Sequence, residues 1–443
     1  MYTAGRLLAS WRMAQAAVGP ARREPGPAGP VTEFFARNVA GISLVELIWG
    51  LGMPVVFDST FIPLFMLNLG ASNLLVGLVP TLGSAGTALS SLLSYALTVR
   101  LKRKRRMLIA LHTVAAAPLL FIGLLLFGVG LRPSTLAVFL CAYAAFSVAI
   151  GLVLPVWQNY IVKIFSERRT VSALGIMMVA QSAARLAGSL YLARIVERYS
   201  FSAQGAGLVF TLVGGLFFVG SFPFLLTVED AAGAGESPTA VRHWSSVRAV
   251  LSNRAYLGFL ATDLEYFALT VVIAFYAGYA TRFGGVDPAV ASGLFVALVC
   301  VGGVAANGVL GWANVLDLRG KYLLAKSLAL VGVLLLASGW GPWTFFVSSV
   351  LVGLSRGTRG VVFAPTVKRL SGQSDATLYF SVAPLLLLPI SLGLPLATGL
   401  FLDSVRGLGG AAYQVTFLAM AALSAVGLFF SSRIPRDPPR EGR

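Results

Sequence analysis

From residue 38 to residue 432 the chain is a succession of twelve apolar stretches separated by short polar breaks. Each is about 20 residues long or somewhat more, the length a helix needs to cross the hydrocarbon layer of a bilayer. They are apolar on all sides instead of alternating, so they predict membrane-spanning helices and not barrel strands. The predicted spans cover 39–66, 73–97, 107–130, 134–162, 170–195, 205–227, 256–281, 288–313, 322–340, 342–367, 376–402 and 410–432. The fold class expected is therefore an all-α membrane protein. Its expected domains are a disordered cytoplasmic tail (1–37), a six-helix bundle (38–227), a cytoplasmic linker (228–254), a second six-helix bundle (255–432) and a short tail (433–443).

Composition agrees, with 57% hydrophobic and 12% charged residues and a mean hydropathy of +0.82. A net charge of +17 would in a soluble chain point to nucleic acid. Here most of the basic residues fall in the tails and in alternate loops, among them the run from Arg100 to Arg106. That is the positive-inside bias, so the charge reports orientation and excludes a nucleic-acid partner as its explanation. Both termini, Arg100–Arg106 and Val228–Arg254 are expected in the cytoplasm, in a cytoplasmic (inner or plasma) membrane. In intact cells carrying a cysteine-free background, Lys102→Cys and His243→Cys should resist an impermeant thiol reagent; labelling at either site contradicts this orientation. Cys141 and Cys300 lie inside predicted spans without metal-ligand spacing, and read as packing residues.

The two halves carry weak internal symmetry. An offset of 216 residues pairs Gly77-Leu78 with Gly293-Leu294 and Gly86 with Gly302; one of 210 pairs Pro155 with Pro365. The loop between spans 8 and 9 reads Asp317-Leu318-Arg319-Gly320-Lys321. Its Asp317, Gly320 and Lys321 match the cytoplasmic loop signature of the major facilitator superfamily, which the chain resembles over residues 38–432. The loop after span 2, starting at Arg100, keeps the basic end and lacks the signature's Asp and Gly. Arg356-Gly357-Thr358-Arg359-Gly360 also resembles an Arg-x-x-Gln-Gly pattern of proton-coupled members, displaced from span 4 to span 10 and with Arg359 in place of Gln. The resemblance implies two pseudo-symmetric bundles that rock about a midplane site lined by spans 1, 4, 7 and 10. It implies a monomer with a small-molecule substrate.

Ionisable residues within spans are costly, by roughly 2.5–3.5 kcal/mol each on insertion scales, so each is a candidate for function. Glu46, Asp263, Glu265, Arg356 and Arg359 fall at similar depths, roughly 12–17 Å from the cytoplasmic ends at 1.5 Å per residue. Asp263 and Glu265 are about 200° apart around a helix, so one is expected to face the cavity and the other a neighbouring helix. Trp49, one turn beyond Glu46, offers a stacking surface for substrate. Asp58 and Arg185 form a second expected pair nearer the outer face. Three prolines in span 11, Pro384, Pro389 and Pro395, predict a bent or broken helix.

With no cofactor fingerprint, metal cluster or nucleotide loop in the sequence, the reading is a proton-coupled secondary transporter, export favoured over import. A midplane carboxylate would carry the proton, and Arg356 or Arg359 would hold an anionic group or a carboxylate. The alternative is a membrane scaffold on the same fold, which has no need of the midplane charges.

Overall fold

The computed structural model describes residues 34–57, 59–98, 103–165, 167–229, 248, 250–312, 315–371 and 377–434. Among these residues every regular element is helical. The first span is built of α1 (Phe35–Val56) and α2 (Phe61–Asn68). There follow α3 (Asn73–Thr98), α4 (Arg105–Val129), α5 (Thr135–Ile164), α6 (Glu167–Tyr199) and α7 (Ala203–Val219). The second half holds α8 (Arg254–Leu260), which a single 3-10 turn joins to α9 (Leu264–Phe283), then α10 (Phe295–Ala306), α11 (Leu318–Ser338), α12 (Trp343–Ser371), α13 (Thr377–Ser404) and α14 (Gly410–Ser431). Among the described residues eleven helical segments are long and apolar enough to cross a bilayer. The twelfth, α12, has the length at 29 residues but carries Arg356 and Arg359 in its middle.

Two local expectations change. The first span is interrupted after Val56 and restarts at Phe61, where the Ser59 hydroxyl accepts the Ile62 N–H at 3.2 Å in the manner of a helix cap. Span 11 runs as one helix of 28 residues through all three of its prolines, so of the bent or broken helix that they predict, the break is absent. Flanking helices and the bilayer hold such a helix together where an isolated one would fail.

Within the first half α1 packs on α6 and α7, α4 on α5 and α7, and α3 on α5; in the second, α12 packs on α10 and α11, and α14 on α11 and α9. The halves repeat one another in detail. Asn38, at the start of α1, donates to the Ile164 carbonyl at the end of α5 (3.2 Å) and accepts from Val228 N–H (2.7 Å). Its counterpart Asn253 precedes α8 and donates to the Leu370 carbonyl near the end of α12 at 3.0 Å.

The glycines paired by the 216-residue offset occupy equivalent seams. A methyl group on Gly86 would overlap Ser147 of α5, and one on Gly302 would overlap the Val350 carbonyl of α12. Gly77 meets the Pro395 carbonyl of α13, whereas Gly293 meets Ser189 and Ala193 of α6. Both of the latter are contacts between the halves.

These inter-half contacts gather at the end of the bundle away from the termini, the outer end in the orientation that the charge bias predicts. Along α3, Asn73, Gly77 and Thr81 recur every four residues and touch Asp403, Pro395 and the Leu392 carbonyl of α13. Thr60 donates to the carbonyls of Ala291 (2.7 Å) and Ser292 (3.1 Å). These belong to a π-helical turn, Val290–Leu294, whose register leaves acceptors that an α-helix would use internally. Within the next two turns of α3, Gly83, Ser84 and Thr87 line a cavity.

Candidate functional site

The cavity has a volume of about 240 Å³ and lies between the halves. The first half supplies Phe57, Ser84, Thr87, Phe146 and Ser147, and the second supplies Tyr266, Phe267, Thr270 and Arg356, among others. Apolar walls with a few hydroxyls, the two phenols of Tyr143 and Tyr266 and a guanidinium are the composition of a small-solute site.

Of the charges expected here, Arg356 lines the cavity. Its guanidinium lies 4.7 Å from the centre of the Tyr266 ring and donates to the Tyr266 hydroxyl at 3.2 Å. Neither carboxylate of span 7 reaches the lining, which corrects the expectation that one of them would. Asp263 is fully buried and takes two parallel hydrogen bonds from Arg359, at 3.0 and 2.7 Å. Arg359 is itself sandwiched between the rings of Tyr266 (4.2 Å) and Phe363 (4.4 Å). The cavity face of α9 includes Tyr266, Phe267, Thr270, Ile273 and Ala274, and Tyr266, with Arg359 against its ring, stands between the Asp263–Arg359 pair and the cavity.

Glu265 turns the other way. It binds Lys326 of α11 at 2.9 Å, with both side chains 2% exposed, and accepts from the Ser355 hydroxyl of α12 at 2.5 Å. Lys326 escapes the sequence reading because it stands two turns into α11, where a lysine is expected to snorkel toward the interface.

Glu46 is different in kind. It is buried and accepts from the Gln181 amide of α6 at 2.6 Å, with the Trp157 side chain of α5 as a further hydrogen-bond partner. Both partners are neutral. Trp49 does not face the cavity: it stacks on Phe217 with ring centres 4.0 Å apart and meets His112 edge-on at 4.8 Å, so it is a packing residue of the first bundle. Asp58 lies outside the described residues, so its pairing with Arg185, which is partly buried on α6, is a matter for mutagenesis.

The loop signature has a structural meaning. Asp317 caps α11, its carboxylate accepting from Gly320 N–H at 2.8 Å, and a methyl on Gly320 would stand 2.6 Å from that oxygen. The glycine three residues on lets the Asp317 carboxylate sit this close to the turn, while Lys321 is buried beside it. The first half lacks both residues and solves the same problem from a distance. Glu229, just beyond span 6, accepts from the backbone N–H of Lys104 (2.8 Å) and of Arg105 (3.0 Å) at the start of α4. A charged cap of this kind stabilises the helix start by about 1 kcal/mol.

The sequence profile of the Major Facilitator Superfamily matches residues 48–337. No curated protein matches the sequence. Among solved structures the fold is similar to a mutant form of the nucleoside transporter NupG, with 12% identity and a TM-score of 0.68 over 89% of this chain and 99% of that one. It is similar also to a bacterial homologue of the human lysosomal transporter Spinster in an inward-facing and occupied conformation (14%, 0.62, 90% and 98%). A third similar structure is tetrameric PepTSo2 (16%, 0.63, 90% and 98%). A chain of two repeated helical halves, joined at one end over a cavity and matched by this profile along most of its length, belongs to the Major Facilitator Superfamily of multi-pass membrane transporters.

Proposed function

We propose that the protein is a proton-coupled secondary transporter of the cytoplasmic membrane, that the cavity around Tyr266 and Arg356 holds its small-molecule substrate, and that Glu46 carries the proton. The observation that supports alternating access is the seam between the halves, closed from Asn73 to Thr81 and open around Gly83–Thr87. Halves that touch at one end over a cavity are one state of a rocking pair. A scaffold protein has no use for such a cavity.

The choice of Glu46 rests on its partners. Asp263 and Glu265 each face a cation, so losing their charge would strand Arg359 or Lys326. Glu46 bonds to neutral groups, and an ionised carboxylate so placed bears a desolvation cost that binding a proton removes. Gln181 can serve both states, donating through its amide nitrogen to the carboxylate and accepting through its amide oxygen from the acid. Its helix, α6, also carries Ser189 and Ala193 against Gly293 of the other half. A change at Glu46 therefore acts on a helix that forms the seam.

The cavity assignment is tested by filling it. Ser84→Trp places an indole in a space of about 240 Å³ and should reduce solute uptake by proteoliposomes at least tenfold, with folded yield unchanged. Uptake at the wild-type rate would move the substrate site elsewhere.

A further inference from the structure

The first turn of α3 has orphan backbone donors, as any helix start does; the Ser72 hydroxyl accepts from Leu75 N–H at 3.4 Å, and the first two donors find their acceptor in the opposite half. Asp403, near the end of α13, accepts Asn73 N–H at 3.0 Å and the Asn73 side-chain amide at 3.1 Å through one oxygen, and Leu74 N–H at 2.9 Å through the other. The Asn73 side-chain oxygen, Oδ1, in turn accepts from the Tyr413 hydroxyl of α14 at 3.0 Å. Both ends of the Asn73 amide are thus held by the second half. The close approach is built in, since a methyl on Gly399 would overlap the backbone of Asn73 and Leu74.

We propose that Asp403 is the latch of the outer end, a carboxylate of one half acting as the helix cap of the other only while that end is shut. The inference rests on the alternating-access reading above. Arg406 explains how the latch can release without loss: it donates to Asp403 at 3.0 Å from within the same half, and both reside on α13 and the turn that follows. When the halves part, the carboxylate keeps this partner and 17% of its side chain is already exposed, while α3 gives up a charged cap. The cap consequently favours the closed outer end specifically. Interactions of this type, an anion at a helix start with three donors, are among the stronger polar contacts available at a membrane surface.

Spin labels on Arg132→Cys and Leu408→Cys, both exposed and on opposite halves, report the opening by pulsed electron–electron distance measurement on the full-length protein in nanodiscs. Gly77→Val, which wedges the same seam, serves as the reference for an opened outer end. The latch predicts that Asp403→Ala raises the population of the longer distance at least threefold. It predicts a smaller rise for Asp403→Asn, which keeps one acceptor oxygen, and none for Arg406→Ala. If Gly77→Val lengthens the distance and Asp403→Ala leaves it at the wild-type value, the latch is wrong and the rocking reading stands. If neither variant changes the distance, the rocking reading fails and the latch with it.

Discussion

Proteoliposomes carrying Glu46→Gln should exchange internal for external solute at close to the wild-type rate and yet fail to accumulate it against a gradient when a pH difference is imposed, a loss of tenfold or more. The neighbours of the side chain set this outcome. Gln at position 46 retains an oxygen to accept from the Gln181 amide, now bonded to the carboxylate at 2.6 Å, so packing and the α1–α6 contact survive. What disappears is the alternation between charged and neutral states, which allows the empty carrier to return only after a proton is bound. Gln181→Leu should act in the same direction and more mildly, because the acid remains while its partner for both states is removed. A Glu46→Gln protein that still accumulates solute under a pH gradient would remove Glu46 from the coupling mechanism.

Removing the lysine at 326 should have the largest effect on stability. Lys326→Met leaves Glu265 buried at 2% exposure with only the Ser355 hydroxyl for company. Breaking a buried ion pair from one side costs about 3–5 kcal/mol. The expected result is a sharp fall in folded yield and in thermal stability in detergent, with exchange and gradient-driven uptake falling together. The double variant Glu265→Gln with Lys326→Met should recover most of the stability, since no charge is then left unpaired. If the single and double variants are equally damaged, the pair is not the brace between α9, α11 and α12 that its geometry describes. Asp263→Asn follows the same logic by stranding Arg359. These outcomes separate bracing charges from a carrier, because Glu46→Gln alone should split exchange from coupled transport.

The membrane spans were legible in the sequence because hydropathy is a local property, as the helices bounded by Arg105–Val129 and Gly410–Ser431 illustrate. The interruption of the first span was legible in principle, since Ser59 and Thr60 followed by Phe61 and Pro63 form a helix-start pattern, but it is hidden inside a long apolar run. The position of each charge along its span can be counted in the sequence, and the direction it faces cannot. Asp263 and Glu265 stand at the cavity's level, yet the 3-10 turn Ala261–Asp263 and the rotation of α9 hand the cavity face to Tyr266. Depth depends on counting residues, whereas facing depends on tertiary packing. Partners distant in the chain escaped altogether: Glu229 with Lys104, Asp403 with Asn73, and Asn38 with Ile164. Each is an ordinary polar residue at a helix end, where a sequence offers no reason to single it out. The 216-residue offset, faint as text, proved to mark backbone contacts that only glycine permits.

Proton flux linked to solute movement tests the central claim most directly. The full-length protein is reconstituted into liposomes holding a pH-sensitive dye, and small solutes of different charge and shape are added outside one at a time. The account predicts that at least one solute drives proton movement through the wild-type protein, that the same solute moves without protons through Glu46→Gln, and that Ser84→Trp blocks both. Solute movement accompanied by the same proton flux in wild type and in Glu46→Gln would contradict it.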